Sequence, residues 1–381
     1  MYGYGYKYTS GLVIGSGGAP VDTTFKMTVD TTQAGSGSTV FVLPLSSIAP
    51  PNMTVYWGDG NSDLITTWND PALSHDYGIG NGGTYQITLD GDFYQILFVN
   101  SGDKLKVSSI DNWGTNVWGN FNNPFHGCSN LIGTYTDNPD TSNCVQFTQA
   151  FKGCTNFNSP LSFDTSIATN LYAVFNGCTN FNSSVTYSDT SNVIDMRNMF
   201  YNCGAFNQDV NFDTSSVLYI NDIFYGCTNF NKPVNFNTAS VTNTTRMFML
   251  CSSFNQTINF DFTSCTGTTL MFYQCTSFNS PVTFTNGSGV ATFSNLFNGC
   301  TIFNQDISAF DITSITNAIN MLAGTAFSTA NYDLLLPLWD AYGTSNVTFH
   351  AGAAQYNAGA PATAHANMLG RGWSITDSGQ V

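Results

Sequence analysis

The sequence predicts a mixed fold: a β-sandwich followed by an α/β solenoid of about eight coils of 24–26 residues, closed by a C-terminal cap. Three observations support this prediction. A cysteine recurs every 24 to 26 residues from Cys128 to Cys300, and a fixed period in the twenties is typical of stacked coils. Short alternating apolar segments occupy residues 24–100 instead. Only 9% of the 381 residues are charged, which disfavours long amphipathic helices with charged outer faces.

The composition also narrows the class of function. The net charge is −15 and the chain has only nine Lys and Arg residues, so no nucleic-acid-binding surface is expected. No apolar run of eighteen residues occurs, so no membrane insertion is expected. The first twenty residues lack a basic start followed by an apolar stretch, so no Sec signal is predicted.

Each coil before the cap has a recurring pattern. Apolar side chains precede the cysteine at i, i+3, i+4 and i+7, as at Met196, Met199 and Phe200 before Cys203. This spacing predicts one buried face of a two-turn helix, which stacking must stabilise because so short a helix is unstable alone. After the cysteine, an alternating apolar pair such as that in residues 234–236 predicts a very short strand. The coil is therefore predicted to run strand, turn, short helix, turn.

The ten cysteines could form disulfides, hold a metal ion or pack in the core. Neighbouring cysteines of the ladder would have parallel side chains, which is poor geometry for a disulfide. No CxxC occurs and the four histidines are scattered, so a zinc site is poorly supported. Free Cys is among the most buried residue types. Core packing is the favoured interpretation, and no metal or cofactor is predicted.

Two polar columns follow the same period. An Asn column after each cysteine is expected to bond the backbone of the next coil, with a row of ligand contacts as the alternative. A second column of Asp or Asn suits turns in which the side chain accepts backbone N–H groups, with a calcium ladder as the alternative. The first column is Asn158, Asn182, Asn207, Asn231, Asn255, Asn279 and Asn304; the second is Asp140, Asp164, Asp189, Asp213, Asn237, Asp261, Asn286 and Asp311.

With these columns in place, residues 111–325 resemble the BspA-like leucine-rich-repeat surface proteins. The pattern MF-x-x-C-x-x-FN-x-x-V-x-F-D-T-S-x-V, as in residues 199–217, carries the resemblance. It implies an LRR-type solenoid displayed on an outer surface. The tail in residues 331–380 looks like the segment that closes such arrays. Its apolar cluster is expected to cover the last coil and consists of Leu334, Leu335, Leu336, Leu338 and Trp339.

The region before the repeats resembles a different module. WGDG at residues 57–60 and HDYGIGNGGTYQITL at residues 75–89 are similar to a PKD-type, Ig-like β-sandwich, in which a tight Gly-Asp-Gly turn and a later Gly-Thr-Tyr strand recur. Asp59 in that turn is expected to bond the backbone rather than to act in catalysis. The predicted domains are an N-terminal anchor or linker at 1–21, the PKD-like sandwich at 22–100, a junction and N-terminal cap at 101–127, the repeat solenoid at 128–325 and the C-terminal cap at 326–381.

The anchor segment at 1–21 has its own pattern. Tyr2, Tyr4, Tyr6 and Tyr8 alternate with other residues, which would put four rings on one side of an extended chain. Two interpretations remain open. One is a disordered end; the other is a docking strand that adds to a partner's sheet or packs with copies of itself.

The predicted function is non-enzymatic. The carboxylates lie in a turn column, and no phosphate loop, HExxH or GxSxG occurs, so no catalytic residue is named and the binding residues stay unknown. The favoured interpretation is a surface-exposed structural or adhesive protein of a virion, such as a phage fibre or capsid decoration protein, that attaches to a host surface glycan or protein. Its expected partners are other virion or surface proteins, bound through residues 1–21, and copies of itself in a homo-oligomer. A bacterial cell-surface adhesin of the BspA-like type is the alternative.

Overall fold

The computed structural model describes residues 22–381. The predicted anchor at 1–21, with its four alternating tyrosines, lies outside the described residues. The buried side chains form one continuous hydrophobic cluster, which runs from Phe25 in the N-terminal region to Trp373 near the C-terminus. The N-terminal region and the solenoid therefore share a core across the junction at 101–127.

The N-terminal region is built on a mixed sheet. Its strands alternate buried and partly exposed side chains, as the sequence pattern predicts. Six strands pair in the order β4-β3-β6-β1-β7-β8, and β2 and β5 form a separate antiparallel pair. The strands are β1 Phe25–Asp30, β2 Val40–Val42, β3 Asn52–Tyr56, β4 Ser62–Ile65, β5 Ser74–Asp76, β6 Thr84–Asp92, β7 Val107–Asn112 and β8 Ile132–Gly133. The PKD- or Ig-like identity of this region stays a prediction.

The junction joins the sheet directly to the first coils. Strand β7 pairs antiparallel with β1 on one side and parallel with β8 on the other. Parallel pairing then continues from coil to coil, beginning with Val117 and Asp140. The edge of the N-terminal sheet at β7 is thus covered by the stack, which protects that edge from pairing with other chains.

The solenoid has about 11 turns, more than the eight predicted. The difference arises because the segments assigned to the junction and to the C-terminal cap continue the same parallel stack. A row of single bridges links Gln146, Asn170, Asp195, Tyr219, Asn243, Gly267, Thr292 and Asn317. Longer strands form at β9 Leu161–Phe163, β10 Val185–Tyr187, β11 Ile258–Asp261, β12 Val282–Thr285, β13 Asn317–Ala318, β14 Thr348–His350 and β15 Ser374–Thr376.

The short helix predicted before each cysteine is wrong; these segments are chains of tight turns. Two residues four apart have positive φ in each segment, as at Asn198 (58°) and Asn202 (56°), a region that α-helices exclude. In each turn segment, every second backbone N–H donates to a backbone carbonyl of the next coil, as the N–H of Phe200 does to the carbonyl of Ile223 at 2.9 Å. The N–H of Cys203 instead bonds Phe200 O, three residues back. A turn repeat of four residues buries i and i+4 on one side as a helix does, so the spacing alone could not separate them.

The predicted C-terminal cap contains two α-helices, α1 at Thr329–Asp340 and α2 at Ala360–Gly370. Strands β13, β14 and β15 pair in parallel, so each helix lies between two strands of the stack. The side chain of Ser328 accepts the N–H of Asn331 and caps the start of α1.

The leucine cluster of α1 is only partly buried. Leu335, Leu336 and Trp339 are fully buried, whereas Leu334 is 53% exposed and Leu338 is 51% exposed. The prediction that all five residues cover the last coil is therefore wrong for two of them. The reason is helical geometry: residues 334 and 338 lie four apart on the side of α1 that faces away from the core.

Two periodic rows of buried side chains, the cysteines and the Phe rings before them, hold the coils in register. All ten cysteines are buried free thiols, which is the core packing that the sequence predicts. From Cys154 to Cys300, each ladder thiol donates to a backbone carbonyl of the previous coil at 2.9–3.0 Å. The Phe rings three residues before the cysteines stack from coil to coil with centroids 5.5–5.9 Å apart.

The two polar columns behave as predicted. Each Asn of the first column accepts the backbone N–H of its counterpart in the next coil at 2.8–2.9 Å. In the second column, all members except Asn286 accept the N–H two residues later. Asn286 has positive φ and donates to Asp261 instead. One side-chain oxygen of each other member of this column is therefore used in its own turn, as the sequence predicts.

Candidate binding face of the solenoid

The turn segments carry a row of outward side chains, because their apolar residues point inward at four fixed positions. In the middle coils several outward positions hold Tyr or Arg, where most other coils hold polar or small residues. We call this surface the tyrosine–arginine face. It consists of Tyr172, Arg197, Tyr201, Tyr219, Tyr225 and Arg246.

The first half of this face is an arginine between two tyrosines. The guanidinium carbon of Arg197 lies 5.5 Å from the ring centre of Tyr172 and 5.1 Å from that of Tyr219, one coil to either side. Both separations fall within the range of cation–π attraction. Asp195 holds the guanidinium through two hydrogen bonds, from Nε at 3.0 Å and from Nη2 at 2.6 Å. The arginine is therefore fixed in one orientation while 41% of its side chain stays exposed.

The second half combines a stacked pair of tyrosines with a second arginine–aspartate pair. The rings of Tyr201 and Tyr225 stack with centroids 4.4 Å apart and planes within 6°. Arg246 makes a two-pronged pair with Asp222, at 2.7 Å from Nε and 3.0 Å from Nη2. Asp222 is 2% exposed, whereas the Arg246 side chain is 45% exposed.

The electrostatics of the face follow from these pairs. Hydrogen bonds with Asp195 raise the pKa of Arg197, and those with Asp222 raise the pKa of Arg246. Partial burial beside Tyr225 raises the pKa of Tyr201. Each arginine is therefore charged and matched by its own carboxylate, so the face is neutral overall. Two of the three arginines of this chain lie in it.

The chemistry of this face suits binding by contact rather than catalysis. Tyr and Arg are among the side chains most enriched at the energetic centres of interfaces. A guanidinium held by one carboxylate still has N–H groups that can donate to a partner. Stacked rings offer a flat apolar surface at little cost in conformational entropy. The turn geometry that places them could not be derived from the sequence; the signal that could have found them is the recurrence of Tyr and Arg at polar positions of neighbouring coils.

Asp59, the residue singled out in the N-terminal turn, has the expected backbone contact and one more partner. It accepts the Asn61 N–H at 2.9 Å and pairs with His75 Nε2 at 2.9 Å. His75 in turn stacks on Trp57, with centroids 4.8 Å apart. Partial burial raises the pKa of Asp59, but the hydrogen bonds from Asn61 and His75 outweigh burial and lower that pKa to about 2. The carboxylate is committed to the turn.

The remaining histidines are dispersed. Burial, together with the charges of Lys152 and Lys104, lowers the pKa of His126 to about 4. His365 lies 3.1 Å from Asp377 near the C-terminus. Within residues 22–381, no three His, Cys, Asp or Glu side chains come together as a metal site. Over the same residues, no helix has the length and apolar character needed to cross a bilayer.

A comparison with protein families identifies the repeat region. The family model described as "Mycoplasma protein of unknown function, DUF285" matches residues 94–211, 169–282, 210–301 and 257–357. The overlapping matches span more than half of the 381 residues and coincide with the solenoid. They support the predicted BspA-like repeat. No curated protein and no solved structure is significantly similar to this chain.

Proposed function

We propose that this chain, which belongs to the DUF285 family, is a non-enzymatic attachment protein that uses its tyrosine–arginine face to bind a host surface glycan or protein. The family and the repeat solenoid are those expected of a surface repeat protein. The observation that carries the proposal is Arg197, held between Tyr172 and Tyr219 and still 41% exposed. A rigid, neutral aromatic face without a cleft suits a flat partner surface.

A non-enzymatic role is supported by the use of the acidic side chains. Most of the repeat carboxylates accept backbone N–H groups in their own turns, as Asp213 does from Ser215. Asp195 and Asp222 are paired with arginines. A general acid or base needs a carboxyl or imidazole within reach of a substrate, and these groups are already engaged.

The proposed location is a virion surface, as a fibre or decoration protein. Support comes from the ten buried free thiols, because a virion protein folds in the reducing cytoplasm of the infected cell, where thiols persist. Many copies on one particle would add avidity to a weak single contact. The proposed anchor to other virion proteins, residues 1–21, lies outside the described residues. A cell-surface adhesin is the second candidate, favoured by the family description, which names Mycoplasma.

Immunogold electron microscopy of the source material tests the location. Antibody raised against the coils from Cys128 to Thr325 should label capsids or tails if the chain is a virion protein. Gold confined to cell envelopes would reject the virion location and support the adhesin.

Binding of the labelled, purified chain to cells from the source material tests the face. Replacing Arg197 and Tyr219 together by Ala should weaken binding at least about tenfold, because interface centres rich in Tyr and Arg carry most of the affinity. Tyr56→Ala is the matched control, since Tyr56 is 46% exposed on the N-terminal sheet. Equal binding by both variants would show that another surface makes the contact.

A further inference from the structure

A second candidate site lies away from the tyrosine–arginine face, where the N-terminal sheet meets the first coils. A cleft of about 490 Å³ opens there between the end of β6 and residues 115–119. Pockets of this size are in the range that holds a small ligand. The side chains that give the cleft its chemistry are Asp92, Tyr94, Thr115, Asn116 and Asn143.

Asn116 is the most informative of these residues. It is 8% exposed, and its Oδ1 accepts the Phe93 backbone N–H at 3.1 Å. Because the oxygen faces that N–H, the amide nitrogen is the group that still lacks an acceptor. Among the described residues, Nδ2 has no hydrogen-bond partner. Buried donors are nearly always paired, so this one is well placed to receive an acceptor from a ligand.

The charge of the cleft excludes anions as its ligand. Asp92 is the only charged lining residue, and the lining contains no Lys, Arg or His. A carboxylate accepts hydrogen bonds only, whereas the amide of Asn116 donates. A ligand that satisfies both must offer donors and acceptors close together, and vicinal hydroxyl groups do this.

The wall of the cleft also provides an aromatic ring. A Cβ placed on Gly119 would lie 2.1 Å from Cε2 of Tyr94. The ring of Tyr94 therefore packs directly on the backbone at Gly119, and a larger residue there would displace it. A ring fixed in this way offers a flat apolar surface beside polar groups.

We propose that this cleft binds one neutral sugar residue, a hexose or N-acetylhexosamine. Asp92 accepts hydrogen bonds from sugar hydroxyls, Asn116 Nδ2 donates to a sugar oxygen, and the Tyr94 ring packs against the C–H face. The site is separate from the tyrosine–arginine face, so either proposal can be rejected by experiment while the other holds.

Saturation-transfer NMR on the full chain, with glucose, galactose, mannose, N-acetylglucosamine and sialic acid at millimolar concentration, tests the proposal. At least one neutral sugar should bind and sialic acid should not. Asp92→Asn removes the charged acceptor and Asn116→Asp removes the donor while it keeps an oxygen for the Phe93 N–H. Each variant should weaken binding about tenfold, the usual effect of losing a hydrogen bond to a charged or buried group.

Asp90→Asn is the matched control, because Asp90 lies on the same strand and outside the cleft lining. Its affinity should equal that of the unmodified chain, and circular dichroism should show all three variants folded. The proposal is overturned if no neutral sugar binds, if sialic acid binds equally well, or if the two cleft variants bind as the control does. Loss of host-cell binding on changing Arg197 and Tyr219, with sugar binding intact, would separate this site from the attachment face.

Discussion

The thiol of Cys227 donates a hydrogen bond to the backbone carbonyl of Phe200, one coil earlier, over 2.9 Å. The same carbonyl also accepts the N–H of Cys203 at 3.0 Å, so both of its lone pairs are used. The ladder cysteines are therefore more than small apolar fillers. Each joins two coils through a weak donor that tolerates an apolar row, and this explains why Cys recurs where Ala or Val would also fit by size.

Cys227→Ser should be tolerated better than Cys227→Ala. The hydroxyl of Thr325, which occupies the same slot in a later coil, donates to Leu322 O three residues back at 2.8 Å. A serine at 227 therefore has the carbonyls of Phe200 and Phe224 within reach, whereas alanine loses the bond and leaves a small void. We expect a loss of about 1–2 kcal/mol in the free energy of unfolding for alanine and less for serine. Urea unfolding checks this; a larger loss for serine would show that the slot rejects a hydroxyl.

The stacking of the coils could be predicted from the sequence, but the backbone conformation within each coil could not. The period of the cysteines predicted coils, and the Asn column at residues such as Asn182 predicted the bond to the next coil. The turn chain around Asn198 was missed because a four-residue turn repeat and a helix bury the same positions. The stack of Tyr172, Arg197 and Tyr219 was missed because contacts between coils depend on register, which the sequence does not give residue by residue.

Leu250→Gly should stabilise the protein. The residue before each ladder cysteine has positive φ, and most coils have Gly there, but Leu250 has φ 65°. Holding a residue with a side chain at positive φ costs about 1–2 kcal/mol. Glycine avoids that cost but loses more backbone entropy on folding, which offsets part of the gain in stability. We expect a net gain of roughly 0.5–1 kcal/mol, measured by urea unfolding.

Gly177→Ala is the matched reverse change. Gly177 has φ 78°, and a Cβ there would meet the Cα of Gly153 at an ordinary 3.7 Å. The expected loss of about 1 kcal/mol would therefore come from the backbone alone. Equal stability of Gly177→Ala and the unmodified chain would show that positive φ is not a source of strain in these turns.

Asn231→Ala should loosen the stack, whereas Asn231→Asp should not. Oδ1 of Asn231 accepts the Asn255 N–H at 2.9 Å, and that of Asn207 accepts the Asn231 N–H at 2.9 Å. Alanine would leave the Asn255 N–H without its partner, at a cost of about 1–2 kcal/mol. Aspartate keeps the accepting oxygen at neutral pH. Hydrogen exchange at the Asn255 amide should rise for the alanine variant only; the same rise in both would mean that the side-chain nitrogen also contributes.

Alkaline pH should destabilise the solenoid through its thiols. Burial raises the pKa of Cys203 and of Cys251 well above the ordinary value of 9.0, and raises that of Cys144 to about 12. A group whose pKa is higher in the folded state holds its proton there and releases it on unfolding, so stability is complete below pH 9 and falls as the pH rises above it.

Thiolate is also the reactive form of cysteine. Ellman's reagent at neutral pH should therefore label almost none of the ten thiols in the folded chain and all of them in denaturant. The midpoint of urea unfolding should fall between pH 9 and pH 10.5, without a matching fall between pH 7 and pH 8.5. Rapid labelling of several thiols at neutral pH without denaturant would mean that the coils open far more readily than a continuous core allows.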